Sequence, residues 1–409
     1  MKKVFALVLT LCLLVLTASA SSAEKIEFFQ QKMEEAPQRA YAEVLTKFNE
    51  EYPDIEIEIN TVPDAGTVLM QRIAISDIPP IFSDYPTQTQ FKEKVNNGYI
   101  ECLEGNEFLS RVNPGMIELG KHYDGQTYAL PLSQNYMAIF YNLDIFAEAG
   151  IEELPKTWDE LIAVCDQLVS LGITPFSFGD KDAGRVGHCF QALSQATYPG
   201  VVDYVVSVVN GETSIADNAE PFRKIGERML KLHEYALPDY MGTADTVMWE
   251  NFATGKAAMC ITGSYARGTI MISNPDLNLG AFPIPGDVYD ESPLLTGIDA
   301  ALCISASATD EEKDAGLKFF EFISRPENAQ LWSDIDGAPS CILGTTYSDP
   351  RVAPIIEKAA TGVVCDWYAS KVTTQVTSEI YQVVQGLLLD GDLDAYIDGL
   401  DEAIENAAL

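Results

Sequence analysis

The sequence predicts an α/β protein organised as two lobes, and three observations carry that prediction. Stretches with the period of strands alternate with stretches with the period of amphipathic helices, the arrangement of a layered α/β protein. The 409-residue chain is longer than one hydrophobic core usually serves. No linker rich in Pro, Gly or Ser interrupts it, and no repeat of about 20 to 50 residues points to a solenoid. Two lobes without a tether imply a chain that crosses between them more than once.

The elements follow in order. Lys2 and Lys3 precede an apolar run from Val4 to Leu16 and then the small residues "TASASSA". This pattern reads as a secretory signal peptide over residues 1–23, cleaved after Ala20 or Ala23. The run falls short of the about 20 apolar residues that a membrane span needs. Cys12 follows Leu11, where a lipid-attachment motif wants a small residue, so the expected product is exported without a clear lipid anchor. Ile26–Phe29 has the character of a first strand. Tyr41, Val44, Leu45 and Phe48 then recur at helical spacing until Pro53. Ile55, Ile57 and Ile59 alternate with polar residues, which is the period of a half-exposed strand. Thr157 with Glu160, and Thr309 with Glu312, have the spacing of capping boxes, and Gly172 with Pro175 closes the first of those helices. Val247, Met248 and Phe252 suggest a helix ending at Gly255, after which "KAAMCIT" has the length and apolar character of a buried strand. Alternation of this kind predicts largely parallel sheets flanked by helices.

Composition excludes several functions. With 26 basic and 61 acidic side chains the net charge is -35, which repels nucleic-acid phosphates and anionic membrane surfaces. An uncharged or cationic small molecule fits better. Seven cysteines follow the signal peptide, scattered in apolar runs without a CxxC pair, so buried thiols are expected rather than disulfides or metal ligands. The three histidines, His122, His188 and His233, accompany no GxSxG elbow, HExxH motif or phosphate-cradling glycine loop, and are expected to be surface or core residues. "DGDLDAYIDGLD" matches the first ligands of a calcium loop, but Ala395 stands where the turn glycine belongs and Asp401 where the bidentate glutamate belongs. A turn into an acidic helix N-terminus is the better reading, and neither metal nor cofactor is expected. Paired carboxylates stay open as the machinery of a glycoside hydrolase, because two suffice.

Taken together, "FNEEYPDIEIEI", "YDGQTYALPL", "IFYNLDIFAEAGIEELPKTWDELI", "ENFATGKAAMCITGSYARG", "SATDEEKDAGLKFFEFISRPENAQLW" and "VVQGLLLDGDLDAYIDGLDEAIENA" resemble, in that order, the extracellular solute-binding proteins of family 1. These are the sugar-binding components of ABC importers, the maltose-binding protein group among them. The resemblance spans nearly all of the mature chain. It implies a periplasmic-binding-protein-like fold with lobe 1 from residues 24–134 and 300–345 and lobe 2 from 135–299 and 346–409. It also implies a carbohydrate held in the interlobe cleft, hinge closure over it, and delivery to a membrane permease by a monomer outside the cell or in the periplasm. A binding protein for a non-sugar solute such as a polyamine is the rival within the same fold.

Eight residues are candidates for the ligand site. Gly263 turns the chain at the carboxyl end of the expected strand, where open α/β sheets gather ligands, and Tyr265 offers a flat face and a hydroxyl just beyond it. The family commonly has tryptophan at that position. Asp84 reads either as an acceptor for two sugar hydroxyls or as a helix cap. Asn135, by its match to a polar family residue before "IFYN", supplies an amide that both donates and accepts. Gln31 follows the first strand, where the family places polar contacts. Arg185 is either a ligand contact or the partner of a nearby aspartate. Asp299 enters the strand returning to lobe 1, and Trp367 is either a second aromatic platform or core.

Overall fold

The computed structural model describes residues 25–347 and 349–408, so the expected signal peptide lies outside the described residues. Lys25–Phe29 (β1) lies between Glu56–Asn60 (β2) and Ile81–Asp84 (β3), parallel to both. The helix Glu35–Glu51 connects β1 to β2, burying Tyr41, Val44, Leu45 and Phe48 against the sheet and ending two residues before Pro53. Two longer strands follow, Leu130–Asn142 (β4) and, beyond Phe176–Ser177 (β5), Met259–Gly263 (β6) and Leu279–Phe282 (β7), Leu294–Ile304 (β8). A short strand, Val364–Cys365 (β9), pairs with the start of β8.

Strands β4 and β8 belong to both lobes. The early part of β4 pairs with the late part of β8, Leu130 opposite Leu302, while Met137–Tyr141 pairs with β6. Irregular register at Ser133 marks the passage. A strand with a bulge bends and twists there, as a crossover between two packed bodies requires. The expectation of mostly parallel sheets is corrected by these strands: β1–β2, β1–β3, β5–β6 and β8–β9 are parallel, whereas β3–β8, β4–β8, β4–β6 and β4–β7 are antiparallel. Two segments that traverse the same junction in opposite directions must pair antiparallel, and helical returns produce parallel pairs only at the outer strands.

Core packing separates the lobes. In lobe 1, successive residues of β1 point to opposite faces of the sheet, so Phe28 packs with Tyr41, Phe319 and Trp332 while Phe29 packs with Leu69, Phe82 and Phe91. Lobe 2 collects Phe140, Phe176, Phe190, Met229, Phe252 and Ile261. One core gives way to the other between Leu132 and Tyr136, between Leu295 and Ile298, and between Ile342 and Val352, three crossings among the described residues.

Both capping boxes form. Thr157 Oγ1 accepts the Glu160 N–H and Glu160 accepts the Thr157 N–H, with the same reciprocity between Thr309 and Glu312. Such caps are each worth about 1 kcal/mol. The aspartate run near residue 390 is a helix start: Asp392 accepts N–H groups of Asp394 and Ala395, and Asp401 turns away to accept those of Ile215 and Ala216. The seven described cysteines are free thiols, five of them buried. No described helix is long and apolar enough to cross a membrane.

Candidate ligand cleft

Strand ends converge between the lobes. Beyond β1 lie Gln31, Lys32 and Glu34; beyond β3 lie Tyr85, Thr87 and Gln88; the crossing strands contribute Asn135 and Asp299; lobe 2 adds Arg185, His188, Asp245, Tyr265 and Trp367. They enclose a cavity of about 430 Å³. The position follows from topology, because parallel strands release their chains at one edge of the sheet.

Six of the eight candidate residues line this cavity: Gln31, Asn135, Arg185, Tyr265, Asp299 and Trp367. Asp84 does not. It is buried, its Oδ2 2.6 Å from Lys94 Nζ and its Oδ1 accepting the Tyr85 N–H, so it neither faces the cavity nor caps the helix Thr89–Asn96. An unpaired buried ammonium costs several kcal/mol, and Asp84 is the group that neutralises Lys94. Gly263 also stands back from the cavity. Its backbone is ordinary extended chain (φ -91), and its role is spatial, since a Cβ there would lie 2.0 Å from Tyr265 Cε1.

Tyr265 departs from the expected open platform. It is only 5% exposed, with the Lys32 ammonium 5.5 Å from its ring centroid and the Arg185 guanidinium 5.4 Å from it. Arg185 Nη1 donates to its hydroxyl at 2.6 Å. Burial raises the phenol pKa, against the pull of Arg185, so the hydroxyl keeps its proton. The remaining Arg185 donors, Nε at 2.8 Å and Nη2, go to Asp245 Oδ2. The arginine therefore does pair with an aspartate, but one 60 residues away rather than a neighbour in "GDKD".

Across the cavity, Asp299 Oδ1 lies 2.5 Å from Lys32 Nζ and 3.5 Å from Asn135 Nδ2. Its second oxygen, Oδ2, is buried with no partner among the described residues. Burial draws the Lys32 pKa down, but Asp299 and Glu34 outweigh it and leave the ammonium above the ordinary lysine range. Asn135 Oδ1 accepts the Trp367 indole N–H at 3.1 Å. Trp367 is half-buried, with His188 edge-on at 5.0 Å. Gln31 is anchored by Ser83, which accepts its Nε2 at 2.7 Å and its backbone N–H at 2.8 Å.

Sequence reasoning passed over Lys32, Glu34, Tyr85, Thr87, Gln88, His188, Asp245 and Ile298. Strand-end logic extended by a few residues reaches the first five. His188 carries a helical signal, three residues after Arg185 on the helix Ala183–Thr197. Asp245 and Ile298 carried none. His122 and His233 are buried away from the cavity, His233 between the Met229 carbonyl and Asp180.

The lining has two cations, Lys32 and Arg185, and three carboxylates, Glu34, Asp245 and Asp299, of which Glu34 has no ion-pair partner among the described residues. The His188 pKa is pushed down to about 3 by burial and by Arg185 and Lys32. Among the described residues no group of three metal-binding side chains comes together. The chemistry on offer is hydrogen bonding and aromatic contact with a largely desolvated molecule.

A ligand-sized cavity between two lobes that share crossing strands defines a two-lobed binding protein. The chain belongs to the bacterial extracellular solute-binding proteins, matching that family over residues 23–330. It is 26% identical to the multiple sugar-binding protein of Streptococcus mutans over 94% of this chain and 91% of that one. It is 22% identical to the melibiose/raffinose/stachyose-binding protein MelE of Bacillus subtilis over 88% of each. Among solved structures it matches RafE in complex with raffinose at a TM-score of 0.84, with 26% identity over 94% of this chain and 100% of that one. The apo-form of RafE from Streptococcus pneumoniae, also 26% identical and covering 94% of this chain and 98% of its own, scores 0.74. The chain thus superposes better on the raffinose complex than on the apo-form. A hydrogen bond from Thr89 Oγ1 of lobe 1 to the Val372 carbonyl of lobe 2, at 3.2 Å, bridges the lobes.

Proposed function

We infer that this exported protein captures a mono- or oligosaccharide in the interlobe cleft and delivers it, without catalysing a reaction and as a monomer, to an ABC permease in the membrane. The observation that carries the reading is the Trp367–Asn135–Asp299 array. An indole held by an amide, beside the Lys32–Asp299 ion pair, combines an apolar face with polar hydrogen-bonding groups. A sugar presents the complementary surface, C–H groups on its ring face and hydroxyls around the edge. Closure follows from ligand contacts that exist only when both lobes meet it.

The hydrolase alternative is disfavoured by the same geometry. Asp245 and Asp299 are each engaged by a cation, Arg185 and Lys32, whereas a glycosidase needs one carboxyl held protonated near neutral pH. The single excess carboxylate, Glu34, is what favours a cationic solute such as a polyamine. Isothermal titration with melibiose, raffinose, stachyose, galactose and chitin and xylan oligosaccharides, alongside spermidine, separates the readings. Stoichiometric, salt-insensitive binding of a sugar is expected; binding of spermidine alone, weakened by salt, would replace the carbohydrate reading.

A further inference from the structure

Along the lobe 2 wall of the cavity, four side chains from three separate segments form one hydrogen-bonded chain. Asp245 holds Arg185 through Nε and Nη2, Arg185 Nη1 donates to Tyr265 Oη at 2.6 Å, and Tyr265 Oη lies 3.0 Å from His188 Nδ1. The direction of the last contact is determined by the first. Arginine can only donate, so the Tyr265 oxygen is an acceptor toward Arg185 and has its own proton left to give. The acceptors within reach are His188 Nδ1 at 3.0 Å and the Met137 sulfur at 3.8 Å, and the nitrogen is the stronger. Arg185 Nη1 also lies 3.3 Å from Nδ1, where a second N–H would meet it head-on. Nδ1 is therefore the unprotonated nitrogen, and the imidazole proton sits on Nε2. That nitrogen has no partner among the described residues, and unlike Asp299 Oδ2 it is not sealed from solvent.

We propose that His188 contacts the ligand as an Nε2–H hydrogen-bond donor, held in that tautomer by the Asp245–Arg185–Tyr265 chain behind it. The inference rests on the reading of this cleft as the carbohydrate site, and it adds a hydrogen-bond donor to the lining of that site. His188 stands edge-on to Trp367, so a ring laid on the indole meets the donor at its rim, where an oxygen acceptor is required. Tyr265 and Arg185 are positioning residues in this arrangement. The charged groups that face the imidazole are Arg185 and Lys32, with Asp245 and Glu34 beyond them, and burial with the two cations keeps the ring neutral.

Long-range 1H–15N correlation spectra of 15N-histidine-labelled protein read the tautomer without any sugar. The chain has three histidines, so assignment by His188→Ala is direct. The expected result is the Nε2–H tautomer, unchanged from pH 8 to pH 5, and a mixture of tautomers in Tyr265→Phe. An Nδ1–H tautomer in the unmodified protein, or an imidazolium above pH 5, overturns the proposal. By titration with the best-bound sugar, His188→Ala should lose about tenfold in affinity and His188→Gln, which retains a donor, should recover part of it. Wild-type affinity in His188→Ala with its fold intact overturns the ligand contact. If the unmodified protein binds none of the sugars, the carbohydrate reading fails with the ligand contact, while the spectrum still decides the tautomer.

Discussion

Gly268 of lobe 2 lies directly against Asp336 of lobe 1: a Cβ placed on the glycine would be 2.3 Å from the Asp336 carbonyl oxygen and 2.5 Å from Ala36 Cβ. Neither neighbour can rotate aside, since one is backbone and the other a methyl group on the buried start of the helix Glu35–Glu51. The helix Arg267–Ser273, which carries Gly268, begins four residues after β6 ends, so the turn that places Tyr265 also places this contact. In the structure the two lobes meet at this pair. A side chain at 268 therefore penalises that arrangement and spares any in which the lobes stand apart at this point.

Gly268→Val should weaken carbohydrate binding about 10- to 100-fold, the equivalent of the 1 to 3 kcal/mol that overpacking costs. The thermal stability of the ligand-free protein should change little, because opening relieves the overlap. Titration calorimetry with small-angle scattering checks both parts. Full affinity with an unchanged radius of gyration would mean that the contact persists through opening.

Asp336 supplies a pH prediction. Both of its carboxyl oxygens are sealed from solvent without a well-aligned hydrogen bond. Burial drives its pKa well above the usual carboxylate range, against the opposing pull of Lys32 and of the Ala338 backbone. The folded protein thus keeps a proton that the unfolded chain gives up near pH 4. Between those two pKa values the unfolded state binds fewer protons, so stability falls as pH rises through that window. Asp336→Asn removes the penalty at nearly constant volume. It should melt above the unmodified protein at pH 7.5, with the difference closing as pH approaches 4; a gap that is constant or widens on acidification would contradict the assignment.

The limits of the sequence are visible in the same residues. Both capping boxes, the first strand and helix, and the strand before Gly263 were legible because each is a local pattern read at one period. Tyr265 could be located beyond a strand end, but its burial could not be foreseen. Arg185 and Lys32 reach its ring from 80 and more than 200 residues away, and no periodicity records that meeting. Asp84 was misplaced for a related reason: the helix after it turns Lys94 back toward the strand, converting a presumed cleft carboxylate into half of a buried ion pair. The mixed sheet was hidden because strand periodicity is the same for parallel and antiparallel neighbours.

Trp367 allows binding to be followed directly. Of the four tryptophans in the chain, Trp249 and Trp332 are buried in the lobe cores, and Trp158 lies in a separate groove with the Arg228 guanidinium 4.6 Å from its ring. Trp367 alone lines the interlobe cavity, half-buried and tethered through its indole N–H to Asn135. A sugar that stacks on it displaces water from its face, so the emission change on binding should arise from this residue. Trp367→Phe retains an aromatic face but loses the tether, and should cost a few-fold in affinity while abolishing most of the fluorescence response. Trp367→Ala removes the platform as well and should cost about 1 to 2 kcal/mol, or 5- to 30-fold in Kd. Because one side of the indole rests on Gly297, truncation leaves a gap beside the strand rather than in either core, so thermal stability should fall much less than binding. Equal losses of stability and affinity in Trp367→Ala would reassign the residue to packing and remove it from the site.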